Sequence, residues 1–144
     1  MLVRRLGTSF MFDHVAKLLG SGGEALMYEE GRSLGHLNAD IMIKLVGPER
    51  VKTKSSELGH FLTAQGWGSP EIEGSPSEGI FAVKLHDCFE CSAPVTHRKG
   101  CNFMRGYFAG GMETSMGGNA DAKEVKCALK GAPSCEFVVT RIVS

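Results

Sequence analysis

Apolar positions in the first part of the chain recur every three to four residues, the spacing of helices that bury one face. Phe12, Val15, Ala16 and Leu19 share such a face, with Thr8 or Ser9 as the cap and Gly20-Ser21-Gly22-Gly23 as the terminator. A longer helix is predicted from about Glu24 to Leu45, with Leu34, Leu37, Ile41 and Leu45 as its apolar stripe. Gly31 and Gly35 lie one turn apart inside it. Each glycine costs a helix about 1 kcal/mol, so close backbone packing is the expected return. Gly47-Pro48 stops this helix, and a third runs from about Ser55 to Gln65, burying Leu58, Phe61 and Leu62, with Gly66 suited to its C-terminal turn.

After Trp67 the period changes. Glu71 to Glu73 reads as a short strand, Gly74 to Gly79 as a turn cluster, and Ile80 to Leu85 as the partner strand. Asp87 to Gly100, which contains Pro94, is irregular. A fourth helix is predicted from about Cys101 to Ser115, with Met104, Phe108 and Met112 on one face and Gly106, Gly110 and Gly111 for close packing. A terminal hairpin follows, Ala122 to Leu129 and Cys135 to Val143, with Lys130 to Ser134 between the strands. Helices first, then hairpins with a helix between them, give an α+β fold with an antiparallel sheet packed against helices.

Composition narrows the function classes. A length of 144 residues points to a single domain over 1–144, and 16 basic residues balance 16 acidic ones. A neutral chain lacks the electrostatic footprint of a nucleic-acid binder, and no apolar run approaches the roughly 18–20 residues of a membrane span. Met1-Leu2-Val3-Arg4-Arg5 begins like a signal sequence, but Asp13, His14 and Lys17 interrupt the apolar core such a signal needs, so a cytoplasmic protein is expected. Five cysteines without an export signal argue against a disulfide framework and leave metal binding, reactive thiols or buried packing.

Cys88-Phe-Glu-Cys91 is a two-residue-spaced thiol pair. Cys127 and Cys135 bracket a tight turn, Glu124 lies three residues before Cys127, and Cys101 opens a helix, where a thiol's pKa is lowered. Two donor sets follow: Cys88, Cys91, Cys127 and Cys135, or Cys101, Glu124, Cys127 and Cys135. Both suit zinc. The second carries a geometric demand. Residues three apart on a regular strand face opposite ways, so a bulge or an early strand end has to bring Glu124 and Cys127 together.

The run Cys101-Asn-Phe-Met-Arg-Gly106-Tyr107-Phe-Ala-Gly110, followed by Glu124-Val-Lys-Cys127, Gly131 and Cys135-Glu-Phe137, resembles the 4-vinyl reductase (4VR) domain family. Tyr28-Glu-Glu-Gly31-Arg-Ser-Leu-Gly35 is similar to that family's long-helix signature. The resemblance implies a ligand-binding fold shared with heme-NO-binding domains, with the lipid-pocket subunits of vesicle-tethering complexes and with the zinc-containing aromatic-sensing input domains of phenol- and xylene-responsive activators. It implies Cys101, Glu124, Cys127 and Cys135 as the ligands of a structural zinc, and a homodimer. No ATPase or DNA-binding segment accompanies the domain here, so a complete activator is not expected. Cys88 and Cys91 fall outside the transferable motif. They are candidates for a second metal or a redox pair, with His86, Asp87 and His97 as nearby donors.

The same resemblance implies an apolar cavity for a small hydrophobic or aromatic ligand, with Trp67, Phe81, Phe103 and Tyr107 as candidate lining. No catalytic set stands out. Gly20-Ser-Gly-Gly23 lacks the dinucleotide spacing, and the adjacent Glu29 and Glu30 point apart on a helix and read as a solvated face. Three functions remain: a hydrocarbon-binding sensor or carrier with structural zinc, an enzyme or accessory protein in tetrapyrrole vinyl-group reduction, and a thiol-redox or iron–sulfur protein using Cys88 and Cys91.

Overall fold

The structure is a computed structural model that describes residues 2–93 and 97–142, with side chains from Arg4 onward. Pro94 and Val143 therefore lie outside the described residues. The elements are α1 (Leu2–Leu19), α2 (Ser21–Val46), α3 (Pro48–Thr53), α4 (Ser55–Ala64), β1 (Ser69–Ser75), β2 (Ile80–His86), α5 (Asn102–Met116), β3 (Asn119–Lys126) and β4 (Cys135–Ile142). The strands form one antiparallel sheet in the order β1-β2-β4-β3. The α+β expectation holds. No helix among the described residues is long and apolar enough to cross a membrane.

Strand alternation builds one side of the core. Phe81, Val83 and Leu85 of β2, Cys135, Phe137 and Val139 of β4, and Ala120 and Ala122 of β3 are buried, while their neighbours face outward. α5 lies on this face, with Met104, Phe108 and Met112 fully enclosed. α2 packs in turn against α5. Full burial of a side chain such as Phe108 or Met112 contributes about 1.5–3 kcal/mol, so the sheet–α5 layer carries much of the stability.

Glycines set the α2–α5 distance. A Cβ on Gly31 would collide with the carbonyl oxygen of Phe103, and one on Gly35 with that of Tyr107. From the other side, Gly106 meets the Tyr28 carbonyl and Gly110 the Arg32 carbonyl. Backbone therefore packs directly on backbone, as the glycine spacing predicts. Gly111, by contrast, meets nothing within 4 Å. Beside the seam, Glu113 accepts hydrogen bonds from Arg32 Nε at 2.9 Å and from the backbone N–H of Ala120 at 3.1 Å, linking α2, α5 and β3.

Three expectations need correction. Thr8 and Ser9 do not cap the first helix, which starts at Leu2; Ser9 is buried inside it and donates to the carbonyl of Glu90 at 2.6 Å. Of the predicted apolar stripe of α2, only Leu34 packs against the core. Leu37, Ile41 and Leu45 are 55 %, 37 % and 72 % exposed, and the buried face carries Met27, Gly31, Gly35, Asn38, Ala39 and Met42 instead. Small residues win that face because a leucine there would push α5 away. The terminal strand predicted to Leu129 ends at Lys126, and a 3₁₀ turn at Ala128–Lys130 follows.

Candidate metal centre and aromatic cleft

All five thiols meet at one end of the sheet. Cys101 sits at the N-cap of α5, Cys135 begins β4, and Cys127 follows β3. Cys88 caps a 3₁₀ turn after β2 and Cys91 ends it. Asp87, with φ of 53°, supplies the left-handed step that turns the chain into this segment. Arg5 of α1 anchors it, donating from Nη1 to the Asp87 carboxylate at 2.7 Å and from Nη2 to its carbonyl.

Two four-donor groups result, Cys101-Glu124-Cys127-Cys135 and Cys88-Cys91-Cys101-Cys135, each with its ligand atoms within 4.8 Å of one another. The bulge demanded by Glu124 and Cys127 is present: the β3–β4 register shifts between Glu124 and Lys126. The alternative set of Cys88, Cys91, Cys127 and Cys135 is not the one formed, because Cys101 rather than Cys127 completes the group around Cys88 and Cys91. Nor do the nearby candidate donors join it. His86 pairs with Glu71 at 2.6 Å, Asp87 with Arg5, and His97 with Asp13 at 3.1 Å.

The donors fit a tetrahedral ion. A metal–sulfur bond of about 2.3 Å implies a sulfur–sulfur edge of about 3.8 Å. The Cys101 Sγ lies 3.8 Å from Cys135 Sγ and 4.0 Å from Cys127 Sγ. Glu124 Oε1 accepts the backbone N–H of Cys101 at 3.0 Å, while its Oε2 is buried without a hydrogen-bond partner. An orphaned buried carboxylate oxygen is costly, and a cation beside three thiols would satisfy it. The backbone N–H of Ala128 donates to Cys135 Sγ at 3.4 Å, as suits a sulfur carrying negative charge.

Thiols this close cannot all ionise independently. Hydrogen bonds from Cys101, then from Cys127, Cys88 and Cys91, hold Cys135 far below the usual thiol range. Its bonds with Cys127, Cys135, Cys88 and Cys91 push Cys101 up. Burial raises Glu124. Thiols crowded this closely compete for protons, so their titrations belong to the cluster rather than to single residues.

Behind the Cys88–Cys91 turn lies a buried polar network. Glu90 accepts the Met104 N–H at 2.6 Å and pairs with Arg98 at 3.3 Å, both side chains being wholly enclosed. Burial pushes Glu90 up to about 8. Arg98 also donates to the Ser9 hydroxyl at 3.0 Å, pinning the turn to α1. Nothing in the spacing of Glu90 distinguishes it from a surface glutamate.

The four predicted lining residues divide between two spaces. Phe81 and Tyr107 border a narrow cavity of about 40 Å³ with Ala39, Met42, Leu58 and Met112. That is room for water-sized occupants. Trp67 and Phe103 line a cleft of about 710 Å³ with Phe12, Phe89, Arg4 and Arg5, a size that suits a small organic molecule. Its walls are aromatic: Trp67 stacks on Phe89 at 5.3 Å and meets Phe103 edge-on at 5.8 Å. Phe12 and Phe89 were not foreseen, because neither carries a signal beyond ordinary core periodicity.

Comparison with known proteins finds relatives of this fold. The family model of the V4R domain matches residues 81–141, bearing out the 4-vinyl reductase resemblance. The uncharacterized protein MJ0150 of Methanocaldococcus jannaschii is 28 % identical over 121 residues, covering 83 % of this chain; the chain spans 66 % of that relative's length. Among solved structures, the phenol-responsive sensory domain of the transcription activator PoxR, determined with phenol, has a TM-score of 0.69 at 18 % identity, covering 98 % of this chain and 76 % of that one. Trafficking protein particle complex subunit 3 from Naegleria fowleri, covalently bound to palmitic acid, has a TM-score of 0.69 at 11 % identity, covering 99 % and 98 %. A vinyl-4-reductase family protein from Methanocaldococcus jannaschii has a TM-score of 0.57 at 18 % identity, covering 81 % and 68 %.

Proposed function

We propose that this chain, whose residues 81–141 match the V4R domain, is a sensor or carrier of small hydrophobic molecules built around a structural zinc. The observation that carries the zinc is the orphaned Glu124 Oε2 beside three thiols at tetrahedral spacing. Cys101, Glu124, Cys127 and Cys135 hold the ion, which ties the N-terminus of α5 to the end of the terminal hairpin. A site closed by four protein donors is structural in character.

The aromatic cleft takes the ligand. PoxR's sensory domain is solved with phenol, and the likeness of fold supports a small aromatic ligand here. Phe12, Phe89 and Phe103 supply apolar walls, and the exposed Arg4 suits a hydroxyl or an anionic group on an otherwise apolar molecule. The protein works as a homodimer inside the cell. The exposed Leu37, Ile41 and Leu45 of α2 give a second copy an apolar face to cover.

Trp67 is the single tryptophan and lines this cleft, so its fluorescence reports occupancy directly. Titration with phenol and with longer alkylphenols is expected to shift or quench the emission saturably, and Phe103→Ala is expected to weaken the response at least several-fold. Emission unchanged by any of these compounds, in zinc-loaded protein, defeats the ligand reading. Protein purified with no bound zinc, and unaffected by added zinc, defeats the metal reading.

A further inference from the structure

We propose that the thiol cluster holds two divalent metal ions bridged by Cys101 and Cys135, with Cys88 and Cys91 as the terminal ligands of the second. This rests on the zinc position argued above and adds a site to it. The two four-donor groups share Cys101 and Cys135, whose sulfurs are 3.8 Å apart. Two tetrahedra with a common edge are the geometry of a pair of metals joined by two thiolates.

The second tetrahedron is well formed. Cys91 Sγ lies 3.4 Å from Cys101 Sγ and 3.6 Å from Cys135 Sγ, and Cys88 Sγ lies 3.9 Å from Cys101 Sγ. These edges bracket the roughly 3.8 Å of a tetrahedral thiolate site for zinc. They are far longer than the roughly 2.05 Å of a disulfide. A sulfide-bridged iron cluster would divide the four thiolates between irons and spread them apart across its core, whereas these four sulfurs all lie within 4.8 Å of one another. The ion is therefore a thiophilic divalent cation, zinc foremost.

A second ion leaves the charge balance of the centre unaltered. Three thiolates and Glu124 around one divalent ion carry a net charge of about −2. Binding the second ion turns the Cys88 and Cys91 thiols into thiolates and releases two protons to solvent, so the net charge of the buried centre is unchanged. Nearby Arg98 is committed to Glu90 and Ser9 and supplies no compensation. The two thiols also flank Phe89, a wall of the aromatic cleft. A metal that fixes the turn fixes that wall.

The test is metal counting on the full chain, purified anaerobically, by native mass spectrometry with zinc and by cadmium-113 NMR after exchange. Two metals per chain are expected, with two cadmium resonances that split each other through the shared sulfurs. Cys88→Ser/Cys91→Ser should retain one metal, and Cys127→Ser should lose the first position. In unmodified protein, which removes any doubt about folding of the variants, the second equivalent of zinc should protect Cys91 from alkylation and release further protons. One metal per chain, with Cys91 alkylated equally fast at one and at two equivalents of zinc, overturns the second site and leaves the first intact. Two metals retained in Cys88→Ser/Cys91→Ser also overturns it. No metal at all overturns this proposal and the structural zinc together.

Discussion

α5 is fastened in two different ways along its length. Its body rests on α2 through glycines, with carbonyl oxygens of one helix filling the space where the other would carry a Cβ. Its N-terminus rests among five sulfurs and a carboxylate, gathered from four separate stretches of chain. The first contact is steric and always present. The second is chemical and, under the zinc reading proposed above, depends on a cation. A domain built this way has one seam that defines the fold and one that external chemistry can tighten or release.

Metal removal is expected to have the largest effect. A metal held a thousandfold above its dissociation constant adds about 4 kcal/mol to stability, and a chelator takes that away. Cys135→Ser should act like the chelator, since Cys135 belongs to both donor groups. Hydrogen exchange sharpens the contrast. After chelation, protection should fall at Cys101 to Met104 and around the turn from Cys127 to Cys135, but persist near Gly31 and Gly35. Uniform loss of protection would mean that the two seams are not separable.

The glycine seam comes next. Gly106→Ala drives a methyl group into the Tyr28 carbonyl and should cost about 1–3 kcal/mol as the helices separate. Gly111→Ala is the control on the same helix. It meets nothing within 4 Å, so it should be neutral or stabilise by up to about 1 kcal/mol through helix propensity. Thermal melts of the two variants with metal saturated would check this; equal destabilisation by both would remove direct backbone packing as the reason for the glycines.

These two seams were legible in the sequence to different degrees. Gly31, Gly35, Gly106 and Gly110 announce close helix packing because glycine inside a helix is otherwise a net loss. The same logic failed for Gly111, whose side of α5 is open. Strand alternation located β2 and β4, since each has one wet and one dry face. The stripe of α2 misleads beyond Leu34, since leucine periodicity signals core, whereas a face that touches backbone must be small. The thiol centre was half legible. Spacing and resemblance pointed to Cys101, Glu124, Cys127 and Cys135, and a bulge was required in advance. That Cys88 and Cys91 converge on Cys101 and Cys135 depends on the pairing of β2 with β4, which sets Leu85 opposite Cys135. Local spacing carries no trace of that register. Glu90 was invisible for a related reason: only the tertiary fold encloses it with Arg98.

Glu90 offers a smaller, pH-dependent way to probe the loop that joins the seams. Its carboxyl is pushed by burial from an ordinary 4.5 to about 8, against the opposing pull of the Met104 N–H and of Arg98. Between those values the folded chain keeps a proton that the unfolded chain has lost. The stabilisation from neutral Glu90 is thus complete below about 4.5 and lost as pH rises through about 8. Glu90→Gln should flatten this part of the stability profile. Comparing denaturant melts of the two proteins across that range cancels the contribution of thiol protonation, which runs the other way by weakening metal binding at low pH. Parallel profiles would show that Glu90 stays ionised, with Arg98 dominating.

The smallest expected effect on folding lies on the face of α2 turned away from the glycine seam. Leu37, Ile41 and Leu45 contribute little to the core at 55 %, 37 % and 72 % exposure, so Leu37→Glu/Ile41→Glu should change monomer stability by no more than about 0.5 kcal/mol. Its effect should appear in assembly instead. Sedimentation of the unmodified protein is expected to give a concentration-dependent dimer, and two glutamates facing their symmetry mates across a dry interface should shift it to monomer. A matching loss of folding stability would place these leucines inside the domain's own core. An unchanged dimer would move the interface off α2, most directly to the exposed Phe10, Met11 and Leu18 of α1. In either case the division of labour on α2 is what is measured: one face kept small so that a helix can approach, the other left apolar for a surface that the isolated chain does not supply.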